Sequence, residues 1–126
     1  MSEPLKGVVV SHAALASGLV DAVRQITGEG DQLVAVSNEG CDTGLLAKRL
    51  KDAIGAAPAV VFVDLPGGSC LHAAIVHQKS ATGVAVVAGV NLAMLLDFIY
   101  HRDLSPADAA RRAVEQGGRA VRMVGL

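Results

Sequence analysis

The chain has 126 residues, enough for one domain around one core, and 52% of them are hydrophobic, which excludes a disordered segment. A formal net charge of -1 with no long basic run, and an aromatic content of only 2%, argue against a nucleic-acid binder, whether held by electrostatics or by base stacking. The two cysteines, Cys41 and Cys70, form no C-x-x-C pair, no signal-peptide pattern is present, and the apolar runs are too short to span a bilayer; a cytoplasmic protein without a disulfide framework is expected.

An apolar, β-branched run predicts a first strand over 5–10, leading directly into Ser11-His12. Helical patterning follows over 13–26, with Leu15, Leu19, Ala22, Val23 and Ile26 on one face, and Thr27-Gly28-Glu29-Gly30 stops it. Residues 32–36 read as a second strand. Asp42 is placed to cap a helix over 43–54, whose apolar stripe is Leu45, Leu46, Leu50, Ala53 and Ile54. Pro58 blocks its continuation, and 59–63 form a third strand ending at Asp64. Leu65-Pro66-Gly67-Gly68 is a tight loop, and Ser69 caps a third helix that reaches Lys79. Residues 84–88 form a fourth strand, and Asn91 caps a helix running to about His101. Ser105-Pro106 opens a last helix with its cap and first-turn proline in their preferred places; Gly117-Gly118 ends it, and 119–124 read as a short final strand. This alternation predicts an α/β fold: a doubly wound, mainly parallel sheet with helices on both faces, in a single domain over 1–126.

His12 ends the first strand and Asp64 ends the third. In a doubly wound sheet of order 2-1-3-4 these strands are neighbours at the switch point where ligands bind, about 4.8 Å apart. A carboxylate accepting from one ring nitrogen fixes the tautomer, stabilises positive charge on the ring and leaves the other nitrogen as nucleophile. Gly67, Gly68 and Ser69 supply a backbone that an anion can approach closely, backed by the N-terminus of a helix. The catalytic candidates are therefore His12 and Asp64. The phosphoryl-binding candidates are Ala13, Gly67, Gly68 and Ser69.

Val8-Val9-Val10-Ser11-His12, Asp64-Leu65-Pro66-Gly67-Gly68-Ser69 and Gly89-Val90-Asn91-Leu92-Ala93-Met94 together resemble the mannose-type enzyme IIA of the bacterial phosphoenolpyruvate:sugar phosphotransferase system. The similarity runs in order from about Gly7 to Gly117. It implies a flavodoxin-like domain, usually a homodimer. In that family a histidine at the position of His12 takes a phosphoryl group from the phosphocarrier HPr and passes it to a IIB domain, and an aspartate at the Asp64 position orients the ring. No IIB domain follows here, so the acceptor would be a separate chain, and contact with the membrane would be indirect, through the IIC and IID transporter. No cofactor or metal is implied, since the phosphoryl group arrives already on a protein. The chain departs from the family pattern at Ala13, Pro66, Cys70 and Ala93, all bordering the site.

The alternative is a regulatory module whose phosphorylation state controls a partner protein. The phosphocarrier of dihydroxyacetone kinase fits the glycine loop and the Gly-Val-Asn segment less well. A response-regulator receiver would need an acidic cluster after the first strand, and a dinucleotide-binding domain would need G-x-G-x-x-G there. His72 and His77 read as structural or solvated, with His72 the better second candidate. Cys70 reads as a small packing residue, and Arg111 and Arg112 as a solvated helix face.

Overall fold

The computed structural model describes residues 4–125. Its elements are β1 (Lys6–Ser11), α1 (Leu15–Thr27), β2 (Leu33–Ser37), α2 (Thr43–Ile54), β3 (Ala59–Val63), α3 (Gly68–Ser80), β4 (Val84–Ala88), α4 (Leu92–Ile99) and α5 (Pro106–Ala120). The strands form one sheet of order β2-β1-β3-β4, parallel throughout, as expected for a doubly wound fold. In register, Val10 pairs with Val36 on one side and Val63 on the other. The ends of β1 and β3 thus emerge side by side.

Alternation along the strands divides the core. Val9, Val60, Phe62 and Val87 face α1, α4 and α5, while Val8, Val10, Val61 and Val63 face α2 and α3. All residues of β3 are buried, consistent with a central strand covered on both sides. The aromatic contact of the core is edge-to-face: the rings of Phe62 and Phe98 lie 5.3 Å apart at 76°, an arrangement worth about 0.5–1.5 kcal/mol beyond the buried area.

Three expectations are corrected. The inward face of α1 is Ala16, Val20 and Val23, with Leu19 packed against it; of the expected stripe Val23 and Leu19 face the core, whereas Leu15 and Ile26 are 49% and 59% exposed. Next, α4 ends at Ile99, short of His101. Finally, Gly117-Gly118 does not stop the last helix, which runs to Ala120, and no strand forms over 119–124; residues 121–125 carry no sheet pairing. Gly117 serves packing instead of termination: a Cβ there would stand 2.4 Å from Met94 Cγ. Its carbonyl also accepts from Asn91 Nδ2 at 3.0 Å. Asn91 caps α4 as expected, its side chain accepting from Met94 N.

Candidate functional site

The site lies at the carboxyl ends of β1 and β3. His12 Nδ1 stands 2.7 Å from Asp64 Oδ2, and the His12 backbone N–H donates to the same oxygen at 3.0 Å. One carboxylate oxygen therefore holds both the ring and the main chain of His12. The Asp64 side chain is 7% exposed, that of His12 45%. Burial pushes the Asp64 carboxyl up, but the backbone and ring hydrogen bonds from His12, with the charge of that ring, outweigh it; the net shift is downward. Asp64 is thus an ionised acceptor, which favours the proton on Nδ1 and, in the neutral ring, leaves the lone pair on Nε2.

The backbone around His12 is held by residues the sequence did not single out. The buried Ser11 hydroxyl donates to His12 O at 3.1 Å and accepts from Ala16 N at 2.7 Å, capping α1 from three residues before its cap position, Ala14, which offers no side chain of its own. From the next strand, Ser37 Oγ donates to Ala13 O at 2.8 Å, and Asn38 Oδ1 accepts from Ala13 N at 3.3 Å. These contacts hold Ala13 at φ +50, a left-handed conformation unusual for a residue with a Cβ. Serine and asparagine after a strand were signals for such a loop, but only pairing of β2 with β1 shows which loop they hold.

Gly68 approaches from the β3–α3 turn. Its φ is +87, and a Cβ built on it would lie 4.0 Å from His12 Cε1, so the imidazole rests against the start of α3. Ser69 was expected to cap this helix. The cap position is Gly67, which has no side chain to offer, and Ser69 lies exposed within the first turn. The first N–H groups of α3 therefore have neither an intrahelical acceptor nor a side-chain cap, which leaves an anion-binding helix end beside the ring. Ala13, Gly67, Gly68 and Ser69 thus all border His12 or the turn next to it, although the Ala13 N–H is already engaged by Asn38.

His72 does not join the group. It lines, with Thr43, Leu46, Ser69 and Val76, a cleft of about 190 Å³ between α2 and α3. His77 lies further along α3, half-buried. Cys70 is buried, as expected of a packing residue. It is also closer to the site than packing alone required: among the described residues, His12, Asp64 and Cys70 form the group able to hold a metal ion, with ligand atoms all within 4.8 Å of one another.

The family model for the IIA component of the phosphotransferase system for fructose, EIIA-man, matches residues 6–115. A mannose/sorbose-specific IIA subunit from Enterococcus faecalis superposes with a TM-score of 0.83 at 28% identity, covering 98% of this chain and 97% of that one. The phosphotransferase system component EIIA from Streptococcus agalactiae gives 0.87 at 19% identity, over 94% and 96% of the two chains. The IIA protein associated with the fucose utilization operon of Streptococcus pneumoniae gives 0.70 at 20%, over 98% and 96%. No curated protein matches the chain.

Proposed function

The chain belongs to the EIIA-man family of phosphotransferase-system IIA components, and on that premise we propose that His12 is its phosphoryl carrier, loaded by HPr and unloaded onto a separate IIB chain. The observation that carries this reading is the 2.7 Å contact between His12 Nδ1 and Asp64 Oδ2. With Nδ1 as donor, the Nε2 lone pair attacks the phosphorus of phospho-HPr. The P–N bond to the donor histidine breaks and a P–Nε2 bond forms. The positive charge that develops on the His12 ring falls beside the ionised Asp64. The uncapped N–H groups at the start of α3, with Gly67, Gly68 and Ser69, face the phosphoryl oxygens. Donor and product are both phosphohistidines, so the step is close to reversible, which suits a carrier.

A homodimer fits the same reading. Tyr100, Val121, Met123 and Val124 are exposed, the last three in the segment after α5. A second copy would remove that apolar surface from water. No helix among the described residues is long and apolar enough to cross a membrane.

The test is phosphorylation by phosphoenolpyruvate, enzyme I and HPr, followed by intact-mass spectrometry at neutral pH. One acid-labile phosphoryl group on the wild type and none on His12→Ala is expected. Failure of active cognate HPr to label the folded wild type would refute the carrier reading. Labelling without onward transfer to any IIB chain would favour the regulatory module.

A further inference from the structure

We propose that His12, Asp64 and Cys70 form a binding site for a zinc-class divalent ion, which closes the same imidazole that the carrier reading uses. An imidazole, a carboxylate and a thiolate are the nitrogen, oxygen and sulfur donors that zinc and its neighbours take, and three protein ligands leave a fourth position for water. In a tetrahedral site with bonds of about 2.0–2.3 Å, ligand atoms stand roughly 3.3–3.8 Å apart. The three donors already lie within 4.8 Å of one another, so a small movement closes the set. The His12 side chain, 45% exposed, has room to make that movement.

A second observation points to an absent ligand. Asp64 Oδ1 is buried and has no hydrogen-bond partner, on a side chain only 7% exposed. Buried carboxylate oxygens are normally satisfied, and leaving one bare costs about 1–3 kcal/mol or more. Its partner oxygen, Oδ2, is fully used by His12. A cation bound by the Asp64 carboxylate beside Cys70 would satisfy it.

The proton balance is definite. The Cys70 thiol loses its proton to solvent and becomes the thiolate ligand. Nδ1 gives its lone pair to the ion, and the ring proton it carried reappears on Nε2. One proton is released per ion bound by the neutral ring. With its proton on Nε2, the ring has no lone pair to attack phosphorus, so the loaded protein cannot accept a phosphoryl group. Binding itself does not depend on the carrier reading; its consequence for transfer does.

The full chain, reduced and metal-free, is titrated with cobalt(II) as a spectroscopic stand-in and then with zinc. One equivalent should produce a thiolate-to-cobalt charge-transfer band with tetrahedral d–d bands, both displaced by one equivalent of zinc. Cys70→Ser should remove the charge-transfer band, and Cys41→Ser should keep it. His12→Ala alters an exposed position and leaves the core intact; it should weaken binding by at least about tenfold. Calorimetry above neutral pH, in buffers of different ionisation enthalpy, should count one proton released per zinc in the wild type. Three results would each overturn the site: no charge-transfer band in folded wild type, a band that survives Cys70→Ser, or unchanged affinity in His12→Ala. None of these readouts needs a phosphotransferase partner, so loss of HPr-dependent labelling and loss of metal binding are told apart.

Discussion

Among the described residues, two histidine–aspartate pairs are built from the same two residue types, and they are wired differently. At the β1–β3 end, His12 Nδ1 meets Asp64 Oδ2 at 2.7 Å, and the ring's other nitrogen is left over. Just past the end of α4, His101 Nδ1 instead meets the backbone carbonyl of Asp97 at 2.7 Å; the Asp97 carboxylate is 3.4 Å from it and accepts from Arg112 Nε at 3.2 Å. The second pair closes a helix end and ties α4 to α5. In the first, one carboxylate oxygen serves only His12, its ring and its backbone N–H. Proximity of His to Asp therefore does not distinguish a reactive pair from a structural one. What distinguishes them is which atom accepts from the ring, and whether a third group already claims the carboxylate.

The sharpest way to break this comparison is to remove each ring. His12→Ala should abolish labelling by phospho-HPr, while His101→Ala should leave its rate within about twofold, since a surface change far from the site seldom does more. Rapid-quench phosphorylation of the two variants decides it, and equal losses would erase the distinction.

Removing each carboxylate comes next. Asp64→Asn keeps the shape but no longer favours the Nδ1–H tautomer, so transfer should fall about 10²–10⁴-fold, the range seen when an orienting aspartate is lost from a catalytic triad. Asp97→Asn should leave transfer unchanged and cost about 1 kcal/mol of stability, through the weakened tie to Arg112. Urea melts alongside the kinetics separate the two effects.

Acid titration sharpens the contrast further. Asp64 is held below its ordinary value in the folded state: burial opposes the shift, and the His12 hydrogen bonds and charge overcome it. Its contribution to stability is therefore complete above the unfolded carboxylate value and is lost as pH falls through the lower, folded one. Between those two values, wild type should lose stability on acidification more steeply than Asp64→Asn. Denaturant midpoints from about pH 4 downward, below where unperturbed aspartates titrate, give the comparison. Parallel curves would mean the shift is not real.

The smallest expected effect is at Ala13. Its φ of +50 strains a residue with a Cβ, and Ala13→Gly should relieve that by about 1 kcal/mol or less, part of it offset by the freer unfolded chain. A clearly destabilised variant would show that the freer unfolded chain outweighs the relieved strain, since Ser37 and Asn38 bond only the main chain of residue 13.

Much of this was legible in the chain. The strand runs, the Asp42, Asn91 and Ser105 caps, and the sheet order followed from local chemistry, because each depends on near neighbours or on the few ways parallel strands connect. The juxtaposition of His12 and Asp64 followed from the order of strands. The errors fell where local rules met distant partners. Gly117 reads as a stop but is a contact for Met94; Ser69 reads as a cap but sits two residues past it, in the first turn; the buried face of α1 includes Ala16 and Val20 in place of Leu15 and Ile26.

By itself the sequence determined a doubly wound parallel α/β fold of this family, with a strand-end histidine facing a strand-end aspartate. Those features rest on hydrophobic period, turn residues and connection handedness, all local in the chain. Only the tertiary structure decided that one Asp64 oxygen serves the His12 ring and backbone while the other is buried without a partner, and that Cys70 stands beside the pair. It also decided that Ser11, Ser37 and Asn38 hold the loop, and that His101 is spent on a helix end. Hydrogen-bond directions are set by backbone positions far apart in sequence, to within fractions of an ångström, and no periodicity carries that information.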